Sequence, residues 1–306
     1  MLTKRDFLSI NDINEQEFWQ ILKLAKKFKD DLRQGKRHEL LKGKTLGMIF
    51  EKSSTRTRVS FETGMTQLGG HAIFLSPNDT QIGRGEIIAD TARTLSLYVD
   101  LIMYRAFKSE NMKELAKWAT VPVINALDDV EHPCQILADL MTVWEHFRLH
   151  GGQVGSLKGL KLAYVGDCEN NVTHSLALGC SLIGMEFVAA GPKGYHMNRK
   201  IVGDAKQVVN PEDAVRRADV VVTDTWVSMG DEAEKANRLK IFKPYQVNQK
   251  LMKLAKKSAI FLHCLPAYRG NEVTVGVIDG PQSLVWDEAE NRLHTQKALM
   301  VWLLGK

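Results

Sequence analysis

Short apolar runs alternate with helical patterns along nearly the whole chain, and this alternation restricts the fold more than any other feature. The first runs are Thr45–Phe50, His71–Leu75, Asp100–Arg105 and Val121–Leu127, with helical stretches near 55–68, 86–98 and 110–119 between them. Ahead of them Phe18, Ile21, Leu22, Ala25, Phe28 and Leu32 recur at helical spacing. Asn14, with Glu17 three residues on, reads as the capping box that opens this helix. Pro133 stands in the first turn of another helix, running to about 148. Gly151–Ser156 is the best linker candidate. Beyond it the pattern restarts with runs at Lys161–Gly166, Glu186–Gly191, Asp219–Asp224, Ala259–Cys264 and Leu284–Asp287. Strands joined by crossover helices pair in parallel and are covered on both faces. The expected fold is therefore α/β, with two doubly wound parallel-sheet domains at 1–150 and 151–287. A last helix, near 288–306, could pack back on the first. Ligands bind such sheets outside the carboxyl ends of the strands, so the active site is expected in the cleft between the domains.

Charge and cysteine usage narrow the function classes. The 306 residues carry 41 basic and 36 acidic side chains, a net charge of +5 spread along the chain. That suits small anionic substrates better than nucleic acid, which asks for a clustered basic face. Cys134, Cys168, Cys180 and Cys264 form no Cys-x-x-Cys pair, which argues against a disulfide framework or a zinc knuckle. Free thiols fit a reducing cytosol. Met1–Asp6 holds no apolar signal region, and no run of about 18 apolar residues is present. The expectation is a cytoplasmic protein with no nucleic-acid or membrane partner.

Polar residues fall where strands end. Ser54-Thr55-Arg56-Thr57-Arg58 follows Leu46–Phe50. Two hydroxyls and a guanidinium at a helix N-terminus, beside unpaired N–H groups, make a phosphate cradle. The loop lacks the Gly-x-x-x-x-Gly-Lys pattern, so a small phosphate fits better than a nucleotide. The plainer alternative is an N-cap followed by exposed arginines. Arg105 closes the next strand as a second anion contact or a solvated charge. His132-Pro133-Cys134-Gln135 opens a helix; His132 can donate to a carbonyl oxygen, and Gln135 offers both an acceptor and donors. Zinc held by His132 and Cys134 is the weaker reading, since a second ligand pair is missing.

In the second half, Asp224-Thr225-Trp226-Val227-Ser228-Met229-Gly230 follows a strand. Asp224 there suits an α-ammonium, and Ser228 with backbone N–H groups suits an α-carboxylate. The charged stretch Asp231–Arg238 with Gly230 as a hinge reads as a lid. His263-Cys264-Leu265-Pro266 ends another strand. In a cationic cleft the Cys264 thiolate would be favoured, against the plain reading of a small buried hydrophobe. Gly166-Asp167-Cys168-Glu169-Asn170-Asn171 opens a helix; Asn171 either caps it or reads a substrate carboxylate.

Taken together and in this order, these motifs resemble the aspartate/ornithine carbamoyltransferase family over essentially the whole chain. Ser-Thr-Arg-Thr with His-Pro-x-Gln is similar to the family's carbamoyl phosphate site. Asp-x-x-x-Ser-Met-Gly with His-Cys-Leu-Pro is similar to its ornithine branch. The resemblance implies carbamoyl transfer from carbamoyl phosphate to L-ornithine, giving citrulline and phosphate without any cofactor or metal. It implies that Ser54, Thr55, Arg56 and Thr57 hold the phosphate. Arg105, His132 and Gln135 would hold the carbamoyl group, with Gln81 reaching in from a neighbouring subunit of a homotrimer and Arg292 completing the anion site. Asn171, Asp224, Ser228 and Met229 would bind ornithine's α-amino acid end. Cys264 and Leu265 would border the carbamoyl group and address the δ-amine, with Arg105, His132, Cys264 and Arg292 as the catalytic set. Tyr268 departs from the pattern, where many relatives carry His.

Other readings remain at this stage. Within the family, putrescine, acetylornithine or aspartate would be alternative acceptors. An NAD-dependent oxidoreductase fits the βα repeats but lacks Gly-x-Gly-x-x-Gly. A non-catalytic two-lobed binding protein fits the architecture.

Overall fold

A computed structural model describes residues 4–78, 80–149, 156–228 and 232–306. It divides into two compact units, residues 1–138 with 290–306 and residues 139–289. The expected linker glycines at 151–155 lie outside the described residues.

The first unit contains α1 (Glu15–Arg33), β1 (Thr45–Phe50), α2 (Thr55–Gln67), β2 (His71–Leu75), α3 (Ile88–Ser96), β3 (Leu101–Arg105), α4 (Ser109–Trp118) and β4 (Val123–Leu127). The capping box at α1 forms: Glu17 N–H donates to Asn14 Oδ1 and Asn14 N–H to Glu17 Oε2, each at 3.0 Å. All strand pairs are parallel, in the order β2-β1-β3-β4. β3 and β4 are buried along their whole length, as expected of strands covered on both faces. Ile49, Ile102, Tyr104, Met112, Leu115 and Val123 make one core cluster there.

Helix α5 (Pro133–Leu149) leads to β5 (Lys161–Val165), α6 (Asn171–Leu182), β6 (Glu186–Ala190), α7 (Arg199–Val202), β7 (Lys206–Val208), α8 (Pro211–Val215), β8 (Val220–Val222), α9 (Lys235–Phe242), α10 (Gln249–Met252), β9 (Ile260–Leu262), α11 (Val275–Ile278) and α12 (Val285–Leu303). The second sheet is again all parallel, in the order β7-β6-β5-β8-β9. Its core gathers Val165, Val188, Val221, Trp226, Phe242 and Phe261. No described helix is long and apolar enough to cross a membrane.

Each sheet has one place where the strand order reverses. In the first it lies between β1 and β3, in the second between β5 and β8. At such a point two successive loops leave in opposite directions and open a crevice at the carboxyl ends. The loops there begin with residues 51–54 and 106–108 in one unit and residues 166–170 and 223–228 in the other, so the motif loops occupy both crevices.

One expected strand does not form. The apolar run Leu284–Asp287 predicts a strand, but Ser283 makes only an isolated bridge to Phe261 and α12 begins at Val285. Asp287 and Glu288 fall in its first turn, where acids favour the helix dipole. The short strand β7 has no counterpart in the sequence reading; its three residues are too few to show a period.

Candidate active site

The phosphate loop forms as a helix start. Ser54 caps α2, its Oγ accepting from Thr57 N–H at 3.2 Å, so the ordinary capping role is real and leaves Thr55–Thr57 in the first turn. Register places Arg105 directly beside Phe50, the last residue before that loop. Glu51 braces the turn: its carboxylate accepts from Tyr104 Oη at 2.7 Å and Phe107 N–H at 2.6 Å. Arg105 itself is buried. A cavity of 720 Å³ opens beside the loop, lined by Ser53, Ser54, Thr55, Arg58, Phe74 and Phe107 among others. Arg58 stacks over Phe74 at 3.6 Å and pairs with Glu62.

His132 is presented by a built turn. Asp128 accepts from Val130 N–H at 2.8 Å, Glu131 N–H at 2.7 Å and Asn125 Nδ2 at 2.9 Å. Burial pushes the His132 pKa well below its ordinary value, and Arg292, Arg105 and Arg56 push it the same way. The charges of Arg292, Arg105 and Arg56 thus act on one buried imidazole and hold it in its neutral form. Arg292 Nη1 donates to Gln135 Oε1 at 2.5 Å and Nη2 to Thr57 Oγ1 at 3.3 Å, which joins α12, α5 and α2. Cys134 is a structural thiol: burial pushes it up to about 12, and Sγ faces Asn125 O at 3.3 Å. Lys52, two residues before Ser54, lies 5.2 Å from the Phe107 ring centroid, and its pKa is lowered by burial and by Arg105. Gln81 is exposed on a short 3-10 turn, Gln81–Arg84.

In the second unit, Val222 pairs with Leu262 in the β8–β9 register. Asp224 and Cys264 stand two residues beyond each and meet, Cys264 Sγ–H donating to Asp224 Oδ1 at 3.2 Å. The expected thiolate does not arise. Burial raises the Cys264 pKa well above its ordinary value, and Asp224 and Glu288 raise it further. The surroundings are acidic where a cationic environment was expected, so Cys264 is a neutral thiol. Asp224 is itself raised by burial, partly opposed by His263 and the Cys264 hydrogen bond.

His263 and Leu265 shape this end. Leu265 N–H donates to His263 Nδ1 at 2.9 Å, which leaves Nε2 as the protonated nitrogen facing Glu272 Oε1 at 3.3 Å. His263 N–H donates to Glu288 Oε2 at 2.8 Å. Asp224, His263 and Cys264 offer ligand atoms within 4.8 Å of one another, and these atoms are engaged in the hydrogen bonds just described. Ser228 lines a cavity of 160 Å³ with Trp226, Tyr268, Asn271 and Glu272. Met229 and Gly230 lie outside the described residues.

Asn170, not Asn171, caps α6, its Oδ1 accepting from Thr173 N–H at 2.7 Å. Asn171 is the first helical residue and half-buried. Gly166, at φ 144°, turns the chain beneath Thr223, where a Cβ would sit 3.4 Å from Oγ1. Arg238, at the end of the charged stretch, is not a solvated charge. It is buried, paired with Asp167, donates Nε–H to Trp226 O at 2.6 Å and lies over the Tyr195 and Phe242 rings. It ties the loop before Asn171 to the loop that carries Asp224.

Two family models match the chain. The aspartate/ornithine carbamoyltransferase carbamoyl-P binding domain covers residues 5–145, and the Asp/Orn binding domain of the same family covers residues 158–303. The ornithine carbamoyltransferase of Pyrococcus horikoshii is 52% identical over 99% of this chain and 97% of its own length. The anabolic enzyme of Pyrococcus furiosus is also 52% identical, over 99% and 98%. Among solved structures, ornithine carbamoyltransferase from P. furiosus superposes with a TM-score of 0.92 at 51% identity, covering 99% of this chain and 98% of that one. The anabolic enzyme of Campylobacter jejuni gives 0.90 at 39% identity, covering 98% of each.

Proposed function

This chain belongs to the aspartate/ornithine carbamoyltransferase family, and from that premise we propose how its residues carry out the reaction. The chain transfers the carbamoyl group of carbamoyl phosphate to the δ-amine of L-ornithine, giving L-citrulline and phosphate, a step of arginine biosynthesis. The observation that carries the residue assignment is the convergence of Arg56, Arg105 and Arg292 on a neutral His132. A dianionic acyl phosphate needs cations, and a carbonyl oxygen gaining charge needs donors that are already in place.

In this reading the first unit binds carbamoyl phosphate. Ser54, Thr55, Arg56, Thr57 and Arg292 take the phosphate; Arg105, His132 and Gln135 take the carbamoyl group. The second unit binds ornithine, with Asp224 on the α-ammonium, Asn171, Ser228 and Met229 on the rest of the head group, and Cys264 and Leu265 near the δ-amine. A free δ-ammonium titrates near 10.4, so delivering the neutral amine at pH 7 costs about 4–5 kcal/mol. A neutral Cys264 thiol cannot accept that proton, so it leaves to solvent before attack. The amine nitrogen then bonds to the carbonyl carbon, the carbon–oxygen bond to phosphate breaks, and one proton of the attacking nitrogen departs with phosphate. His132 and Arg105 stabilise the oxyanion between these events.

The reading extends to a cytoplasmic homotrimer in which Gln81 serves a neighbour's site. Exposed Leu97, Tyr98 and Ile87 on the first unit support self-association, and four free cysteines suit a reducing compartment. Refolding Arg56→Ala and Gln81→Ala chains together tests the shared site through recovered activity. The main test is citrulline formation from the two substrates, against putrescine, acetylornithine and aspartate as acceptors. Polar groups left unpaired by putrescine should cost up to roughly 10⁴-fold in kcat/KM. Comparable turnover of putrescine and ornithine would refute the acceptor assignment.

A further inference from the structure

Helices α2 and α12 meet along one polar stripe. Thr57, Ser60, Gly64 and Gln67 recur at intervals of three and four, which puts them on one face of α2. Opposite them, Arg292 reaches Thr57 and Lys297 Nζ donates to Gln67 Oε1 at 2.9 Å. Gly64 permits this approach, since a Cβ there would lie 3.1 Å from Lys297 Cγ and 3.5 Å from Met300 Cε.

Gln296 is the buried centre of the stripe. The groups around it orient its amide: Oε1 accepts from Arg292 Nε at 3.1 Å and Nη2 at 2.8 Å, while Nε2 donates to Ser60 Oγ at 2.5 Å. Ser60 Oγ–H in turn donates to Thr57 O at 3.2 Å, in the first turn of α2. One neutral amide thus ties the Arg292 guanidinium to the backbone of the phosphate loop.

We propose that Gln296 is a positioning residue for anion recognition, fixing the Arg292 guanidinium through a two-donor contact that brings no counter-charge. The inference rests on the reading of Arg292 as a carbamoyl phosphate ligand. A long arginine side chain loses rotamer freedom when it binds an anion, and a pre-set guanidinium loses less. A carboxylate at 296 would hold the same two donors but offset their charge, whereas an apolar side chain of similar length would release them.

The test compares wild type with Gln296→Met and Gln296→Glu, measuring KM for each substrate, kcat, equilibrium binding of carbamoyl phosphate and thermal unfolding. Gln296→Met should raise KM for carbamoyl phosphate about tenfold, since small misplacement of a binding group is costly. Gln296→Glu should weaken carbamoyl phosphate binding further. KM for ornithine at saturating carbamoyl phosphate should stay within about twofold. A merely structural role would lower the melting temperature and leave this split absent. If either variant fails to fold, Ser60→Ala removes only the amide's anchor and should raise the same KM about threefold. Folded variants that bind carbamoyl phosphate as wild type does overturn the inference alone. A wild-type chain that does not bind carbamoyl phosphate overturns the reading of Arg292 and this inference with it.

Discussion

The two crevices share a topology and invert their electrostatics. In one, burial and Arg292, Arg105 and Arg56 push a histidine down; in the other, burial, Asp224 and Glu288 push a cysteine up. Both surroundings yield a neutral side chain. His132 is an uncharged imidazole among arginines, and Cys264 is a thiol hydrogen-bonded to the Asp224 carboxylate. Parallel sheets thus provide the place where polar loops gather, and in the proposed reading the charges carried by those loops select the ligand at each place. A cation-lined crevice suits an acyl phosphate, and an acid-lined one suits an amino group.

The comparison breaks most visibly at the arginines. Arg105→Ala should lower kcat/KM for carbamoyl phosphate by roughly 10²–10³, the usual loss for one oxyanion donor. Steady-state kinetics at varied carbamoyl phosphate checks this, and a loss under tenfold would remove Arg105 from the carbonyl oxygen. In the other crevice, Asp224→Asn keeps the shape but removes a charge. Losing a charged hydrogen bond of about 1.5–3 kcal/mol should cut kcat/KM for ornithine roughly 10- to 100-fold, with carbamoyl phosphate binding retained. Equal losses for both substrates would erase the division of labour.

A smaller effect sharpens the acidic side. Iodoacetamide should label Cys264 at least about tenfold more slowly than a free thiol at pH 8, because thiolate is the reacting form. Asp224→Asn should speed that labelling by removing a negative neighbour. Labelling as fast as free cysteine would restore the thiolate.

The smallest effect concerns stability. His132 is held below its unfolded value, and His294 is pushed down to about 4 by burial and by Lys297, Lys29 and Arg33. As pH falls below about 6.5 the unfolded chain takes up protons that these buried imidazoles refuse. Their contribution is therefore intact above that pH and is lost as pH falls toward the folded values. Chemical denaturation from pH 7 to 5 should show stability falling, with a shallower fall in His294→Gln; parallel slopes would contradict the assignment.

Much of this was legible from residues near one another in sequence. Asn14 with Glu17, the strand expected at Asp100–Arg105 and the helix start after Phe50 are local signals; the cap and the helix start form, and the strand forms over Leu101–Arg105. The environment of Cys264 was not legible, because Glu288 reaches it through α12 and Asp224 through the β8–β9 register. Arg238 belongs to a charged stretch, and its buried partner Asp167 lies 71 positions away in sequence. Gln296 belongs to no motif, since its meaning lies in partners on another helix. Residues 284–287 failed for a related reason: one bridge to Phe261 cannot hold a strand against a helix start with two acids in its first turn.

The most direct test of the opposed electrostatics is a pH titration of His132 by nuclear magnetic resonance on ring-labelled protein, assigned by difference with His132→Asn. A wild-type midpoint well below the ordinary imidazole value, rising when Arg105 or Arg292 is replaced by Ala, is the expected result. A wild-type midpoint at or above about 6.5, unmoved by either substitution, would contradict it.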